Sequence, residues 1–177
     1  MPRPSPTLAQ ALENPCAIVR SLGVLTDTWS FLLVREALLG ARTFAQFRDA
    51  LGIASDVLSA RLASLVAHGV MAKTPYREPG QRTRDAYELT PAGEELKTVL
   101  VAMQQWGHAH VPQDPELRVV PVTADRQVRV HAELVDADGR AVAPEDVRFV
   151  RVPRATPRAR TAPATALRDR PPRPPAP

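Results

Sequence analysis

Small polar side chains gather behind a glycine turn in the middle of the chain. A predicted helix over residues 55–68 carries Ser55, Asp56, Ser59 and Ala60 on the side away from its leucines. Serine hydroxyls donate or accept hydrogen bonds at base edges and phosphates, and a carboxylate accepts from the N4 amino group of cytosine. The alternative is that these residues form an ordinary solvent-facing surface. Whether they contact DNA therefore depends on the fold in which this helix is placed.

Further groups that suit an anion lie within and before this helix. Arg61 either binds a phosphate or braces the preceding helix through Asp49. Arg42 and Thr43 stand at the predicted start of that preceding helix, where backbone N–H groups and the helix dipole favour an anion. We therefore predict a phosphate contact at residues 42 and 43.

Four cations surround a predicted β-hairpin with strands over residues 70–76 and 84–89. They are Lys73, Arg77, Arg82 and Arg84, set against Glu78 and Asp85. Cations clustered on one hairpin fit contact with phosphates or with the minor groove. A solvated charged loop is the alternative.

Cys16 is the single cysteine, which excludes an intrachain disulfide and a cysteine-rich zinc site. We predict it in the first turn of a helix whose N-cap is Asn14 and whose first residue is Pro15. The helix dipole favours a thiolate there, which suits a redox sensor. A small buried apolar side chain is the other interpretation, and it is the usual one for a lone cysteine.

No motif of an enzyme accompanies these groups. The chain lacks G-x-G-x-x-G, a P-loop, H-E-x-x-H and G-x-S-x-G. His108 and His110 are two residues apart at a helix end, which is poor geometry for zinc. We expect no catalytic residue, no cofactor and no metal. No apolar run approaches the length of a membrane helix, so a cytoplasmic protein without a membrane partner is predicted.

The elements that position these groups are predicted to be mainly helical. Capping residues and glycines indicate five helices, with N-caps at Thr28, Thr43 and Ser55 among them. Two short helices split by a tight turn and followed by a hairpin indicate a winged helix-turn-helix. The predicted fold class is therefore mainly α with a β-wing, followed by a small C-terminal β extension and a disordered tail.

A family resemblance rests on motifs in the first two thirds of the chain. They are Asn14-Pro15-Cys16, Thr28-Trp29, Leu32-Leu33-Val34-Arg35-Glu36, Arg42-Thr43-Phe44, Val57-Leu58-Ser59-Ala60-Arg61-Leu62, His68-Gly69-Val70 and Tyr87-Glu88-Leu89-Thr90. In order and spacing they resemble the HxlR family, which belongs with the MarR-like winged-helix regulators. The resemblance implies a homodimeric, DNA-binding transcriptional regulator that pairs through its first and fifth helices. Asp56 departs from the family pattern, which often places a basic or amide side chain in that turn.

The resemblance implies how these parts act together. The helix at 55–68 is expected to read the major groove of an inverted-repeat operator, and the wing at 77–84 to reach the backbone or minor groove. We expect a repressor, modulated through Cys16 or by a small-molecule or oxidant effector, since some family members use a cysteine at this position as a sensor. The predicted dimer interface comprises Leu22, Leu96, Val99, Leu100, Met103 and Trp106.

The rest of the chain divides by composition. Residues 1–13 are predicted to be a flexible arm, 14–110 the DNA-binding domain, 117–152 a small β-rich extension, and 153–177 a disordered Arg/Pro-rich tail. The formal net charge of +4 belongs to the tail, because residues 150–177 hold seven Arg and one Asp. An alternative function follows from that tail: a protein-interaction module with an Arg/Pro-rich docking segment. Such a module should expose large apolar groups on the helix at 55–68.

Overall fold

The structure is a computed structural model that describes residues 10–77, 80, 82–111 and 119–151. The predicted tail at 153–177 lies outside these residues, as do most of the predicted arm at 1–13, the wing positions 78, 79 and 81, and the ends of the predicted extension at 117–152. Within the predicted arm, residues 10–12 are helical.

Five α-helices and one hairpin lie within residues 14–110, the range for which a DNA-binding domain was predicted. In chain order the elements are α1 (Ala17–Val24), α2 (Thr28–Leu38), α3 (Phe44–Leu51), α4 (Ser55–Ala67), β1 (Met71–Tyr76), β2 (Arg84–Leu89) and α5 (Pro91–His110). The helix-turn-helix is α3 and α4, and the strands of the wing pair antiparallel from Met71 opposite Leu89 to Tyr76 opposite Arg84. This arrangement confirms the predicted winged helix-turn-helix.

Local signals explain several helix ends. Thr43 and Gln46 complete a capping box at the start of α3, as predicted. Gly52 ends α3 in the left-handed conformation, with φ at +60°. Thr90 caps α5, and Pro91 follows at its first position.

Three predicted N-caps are wrong by one or two residues. Asp27, and not Thr28, caps α2, because its carboxylate accepts from the backbone N–H of Ser30 at 3.0 Å. Ala54, and not Ser55, precedes α4, with no side-chain cap. At α1 the N-cap is Cys16 rather than Asn14, and the Cys16 N–H donates to Asn14 Oδ1 at 2.9 Å.

The hydrophobic core lies among α2, α3, α4 and β1. Phe47, Leu33, Leu58, Leu62 and Leu65 are fully buried within it. Three of these five side chains come from α4 at helical spacing, so one whole face of that helix is committed to the core.

A close backbone approach joins α5 to the start of the hairpin. A Cβ atom added to Gly93 would lie 2.2 Å from the carbonyl oxygen of Val70, so only glycine fits without displacing the backbone. The hydroxyl of Thr90 donates to the Gly69 carbonyl oxygen at 2.6 Å beside it. The first turn of α5 is thereby fixed to the segment that links α4 to β1.

The extension is less regular than the sequence suggests. Among residues 119–151 the β pairing consists of two isolated bridges, Val122 with Arg129 and Val135 with Ala141. Residues 119–133 rest on α5 through two glutamines. The Gln105 side chain exchanges two hydrogen bonds with the backbone of Ala132, and Gln104 donates to the carbonyl oxygen of Val119.

The chain divides into two compact units between residues 133 and 134, inside the predicted extension. In the second unit the predicted turn at 136–139 is present: Asp136 Oδ1 accepts from the backbone N–H groups of Asp138 and Arg140, each at 2.9 Å. A single 3₁₀ turn follows at Pro144–Asp146.

Among the described residues, no single helix is long and apolar enough to cross a membrane. Taken together, α1 and α2 reach the required length and apolar composition, but the chain bends by 78° between them.

Candidate nucleic-acid interface

The exposed face of α4 carries small side chains and one charge. Ser55, Asp56, Ser59, Ala60 and Ala63 are all exposed, opposite the buried leucines. Four of them are therefore the residues that the sequence predicted for base contact. Because serine and alanine are short, the backbone of this helix can approach base edges closely, as a helix in the major groove must.

Arg61 lies at the edge of this face and is held by an acidic residue of α2. Its Nε atom forms an ion pair with Oδ2 of Asp27, the N-cap of α2. Asp27 Oδ1 accepts from the hydroxyl of Ser30 at 3.1 Å as well as from its N–H. The brace predicted through Asp49 is wrong, since Asp49 pairs with Arg48 at 3.1 Å. Arg61 thus links α4 to α2, a role that the sequence interpretation attached to the wrong helix.

Asp27 itself was missed by the sequence interpretation. Its signal was present: an aspartate directly before a helical segment, with Ser30 three residues later, has the spacing of an N-cap that accepts from the third helical N–H.

The start of α3 presents Arg42 and Thr43 beside the wing. The guanidinium group of Arg42 forms an ion pair with Glu88 on β2. The backbone carbonyl oxygen of Arg42 accepts a hydrogen bond from the Tyr87 N–H at 2.7 Å. The backbone N–H groups of Arg42 and Thr43 donate to the Gln46 side chain at 2.8 and 2.9 Å. These N–H groups are therefore occupied within the chain, and a phosphate contact at Arg42 has to come from its guanidinium group.

Lys73 is the innermost cation of the wing and it also has an acidic partner. Its Nζ atom lies 2.8 Å from Oδ2 of Asp85 on the opposite strand. The hydrogen bond and the charge of Asp85 raise the pKa of the Lys73 ammonium group above its usual value. Lys73 consequently remains charged up to strongly alkaline pH, but its charge is largely offset by Asp85.

Three arginines lie at the exposed outer end of the wing. Arg77 and Arg82 flank the tip, and Arg84 begins β2. Within the part of the chain that the structure describes, neither Arg82 nor Arg84 forms an ion pair. Arg84, Thr43 and Tyr76 line one open depression of about 400 Å³ between the start of α3 and the wing. The structure thus brings the predicted residues Thr43 and Arg84 together.

Cys16 is exposed at the N-cap of α1, outside the first helical turn where it was predicted. The alternative of a small buried side chain is therefore wrong. The neighbouring Arg20 directs its guanidinium group to the carbonyl oxygens of Asn14 and Pro15, at 2.8 and 2.9 Å.

The residues predicted for the dimer interface separate into two groups. Leu96 and Leu100 are partly buried and pack against the core of the same chain. Leu22, Val99, Met103 and Trp106 are between 44% and 63% exposed. Ile18 on α1, which was not predicted for the interface, is exposed to 57% as well. Two helices therefore present unpaired apolar surface.

Within the described residues, no group of three or more His, Cys, Asp and Glu side chains is arranged to hold a metal ion.

Comparison with known protein families identifies the domain that contains the helix-turn-helix. A family model described as an HxlR-like helix-turn-helix matches residues 24–115, from the last residue of α1 to beyond the end of α5.

Two curated relatives illustrate the similarity. An uncharacterised HTH-type transcriptional regulator of Mycobacterium tuberculosis is 36% identical over 97 residues, which are 55% of this chain and 60% of that protein. The match thus spans somewhat under two thirds of the mycobacterial relative. An uncharacterised HTH-type transcriptional regulator of a Synechocystis strain is 33% identical over 119 residues, covering 63% of this chain and 87% of that protein.

Solved structures extend the similarity beyond the helix-turn-helix. PA1607, described as a candidate transcription factor, superposes with a TM-score of 0.70 and 35% identity over 81% of this chain and 99% of its own. PA1374 of Pseudomonas aeruginosa, described likewise, superposes with a TM-score of 0.55 and 34% identity over 80% of this chain and 96% of its own. Both overlaps exceed residues 24–115, so they include residues outside the family match.

Proposed function

This chain belongs to the HxlR-like helix-turn-helix family of transcriptional regulators, and from that premise we propose that it binds double-stranded DNA in a sequence-specific manner. In this proposal α4 enters the major groove, and the wing contacts the backbone or the minor groove. The protein acts as a repressor by occupying an inverted-repeat operator. Such a protein works in the cytoplasm, where the DNA of a bacterial cell lies, and needs neither a catalytic residue nor a cofactor.

The observation that carries the proposal is the depression shared by Thr43, Tyr76 and Arg84. It brings an arginine of the wing beside the first residues of the helix-turn-helix, where a phosphate of a bound duplex would pass. Arg82 lies close by in the sequence at the tip of the same hairpin and adds a second exposed guanidinium group.

The composition of α4 favours DNA over a protein partner. A protein-interaction module would expose large apolar side chains on this helix, whereas its exposed residues are serine, alanine and aspartate. The Arg/Pro-rich segment that the alternative function requires lies outside the described residues.

A homodimer is the second part of the proposal. Ile18 and Leu22 on α1 and Val99, Met103 and Trp106 on α5 are exposed apolar residues that a second copy would cover. A two-fold dimer places its two copies of α4 one helical turn of DNA apart, about 34 Å, which requires an inverted repeat with matching half-site spacing. Cys16 is exposed, so an oxidant that acts as an effector would reach its thiol directly from solvent.

Binding to the DNA that flanks the protein's own gene tests the first part. We expect fluorescence anisotropy to show tight, salt-dependent binding, with footprinting to locate the operator. Arg84→Ala should weaken binding to all sequences. It should also make the negative slope of log K against log salt shallower by about 0.9, as the loss of one phosphate contact requires. Arg126→Ala, which removes an exposed arginine from the 119–133 segment, is the matched control and should leave both unchanged. An unchanged slope in Arg84→Ala contradicts the phosphate contact.

Sedimentation equilibrium tests the dimer. Met103→Glu places a charge on the exposed face of α5 and should yield monomers, while Glu95→Gln on the same helix should stay dimeric. A wild-type protein that is monomeric at micromolar concentration contradicts this part of the proposal.

A further inference from the structure

The one charged side chain on the exposed face of α4 is an aspartate, although the proposed partner is a polyanion. Asp56 is the second residue of this helix and is exposed. Ser59, Ala60 and Ala63 follow it by three, four and seven residues and so share its face. None of them carries a charge that could neutralise the carboxylate.

No ion pair occupies Asp56 among the described residues. The other charged residue of α4, Arg61, is engaged with Asp27. The dipole at the helix N-terminus favours a negative charge at this position in the first turn.

A carboxylate on this face discriminates strongly between base pairs. It lowers affinity everywhere through repulsion by the phosphates, and it has no hydrogen atom to donate. In the major groove, donors are found only on the amino groups of cytosine and adenine. The amino group of adenine lies between two acceptors that repel a carboxylate, its own N7 and the O4 of the paired thymine, whereas the N4 donor of cytosine has an acceptor, the O6 of the paired guanine, on one side only.

Resting on the proposed function, we propose that Asp56 determines sequence specificity by accepting a hydrogen bond from the N4 amino group of a cytosine in each operator half-site. The short neighbours Ser59 and Ala60 leave room for the base edge to reach it. Asp56 thus acts mainly by exclusion, because it lowers the binding affinity for every operator whose base pair at this position cannot donate a hydrogen bond to it. Only the hydrogen bond from that cytosine offsets the loss of affinity.

Selection from a pool of random duplexes, followed by sequencing, tests this inference with the full-length protein. The wild type is expected to enrich an inverted repeat with a cytosine at one fixed position of each half-site. Asp56→Ala should lose the preference at that position alone, by roughly tenfold or more, and should bind unrelated duplexes more tightly. Asp56→Asn should shift the preference there to adenine, because an amide both donates to N7 and accepts from N6.

Glu95→Gln is the matched control, since it removes one exposed carboxylate from α5 and should leave every base preference as in the wild type. The inference is overturned if Asp56→Ala keeps the preferences of the wild type at all positions, or if the preference it loses is for a base other than cytosine. Failure of the proposed function gives a different result, because the wild type would then enrich no sequence at all.

Discussion

The helix α4 and the wing face the same proposed ligand, but they are attached to the molecule in different ways. Leu58, Leu62 and Leu65 of α4 are fully buried, and Arg61 ties the helix to α2. The wing is a two-stranded hairpin in which the cross-strand ion pair of Lys73 with Asp85 is about half exposed at both partners, and the ion pair of Arg42 with Glu88, which joins the wing to the start of α3, is also partly exposed. Exposed ion pairs contribute little to stability, whereas buried leucines contribute several kcal/mol.

This difference suits a division of work between the two elements. A helix that hydrogen-bonds to base edges has to be positioned to within a fraction of an ångström, and packing of buried side chains achieves this. A contact with phosphates tolerates adjustment, because it rests on charge more than on exact geometry. Arg77, Arg82 and Arg84 accordingly lie at the exposed outer end of the wing, away from the buried Met71 at its base.

Loss of the buried face of α4 should have the largest effect. Leu58→Ala removes a fully buried side chain and should lower the free energy of unfolding by about 2–5 kcal/mol. Ser59→Ala, one residue further on the exposed face, should change it by less than about 0.5 kcal/mol. Urea unfolding followed by circular dichroism measures both. Equal costs at the two positions would mean that α4 is not anchored as described.

The link between α2 and α4 should have an intermediate effect. Asp27→Ala removes the N-cap of α2 and the partner of Arg61, and should cost about 1–2 kcal/mol in the same unfolding experiment. Asp27→Asn keeps the cap and loses only the ion pair, so it separates the two contributions.

Thr28→Ala is the control for this link, because Thr28 was the cap expected from the sequence. It should cost less than about 0.5 kcal/mol. If Thr28→Ala lowers the free energy of unfolding more than Asp27→Ala does, Thr28 and not Asp27 is the N-cap of α2.

The ion pair of the wing should have the smallest effect, and it should depend on pH. The pKa of Lys73 is raised in the folded protein, so the pair stabilises fully below the ordinary lysine pKa of 10.5. The stabilisation is lost as the pH rises through the higher folded value. Unfolding curves of wild type and Lys73→Met between pH 8 and pH 11.5 should therefore converge at the alkaline end. In Asp85→Asn the same replacement of Lys73 should have no pH-dependent effect, and curves that diverge with rising pH would contradict the sign.

The sequence predicted the elements well where their signals are local. The capping box at Thr43, the stop at Gly52 and the Thr90-Pro91 start each depend on residues within four positions of one another, and the strands were placed to within one residue. The N-cap of α4 was assigned one residue too late because Ser55 is a good cap by type, whereas the actual cap, Ala54, offers no side-chain signal.

Partners distant in the chain could not be read in the same way. Arg61 had several acidic candidates, and only the packing of α4 on α2 selects Asp27 over Asp49. The pairing of Arg42 with Glu88 likewise depends on where the start of α3 meets β2. Residue types predicted the candidate interface, but the number of cations that remain available there is a property of the fold.

Gln104 and Gln105 hold the segment that follows α5 by a means that leaves its sequence open. Both amides bond to main-chain atoms, at Val119 and Ala132, and not to side chains. Every residue type except proline at position 132 offers the same backbone groups. The side chains at positions 119 and 132 are therefore free to diverge, or to be redesigned, while the two glutamines keep the segment attached to the helix.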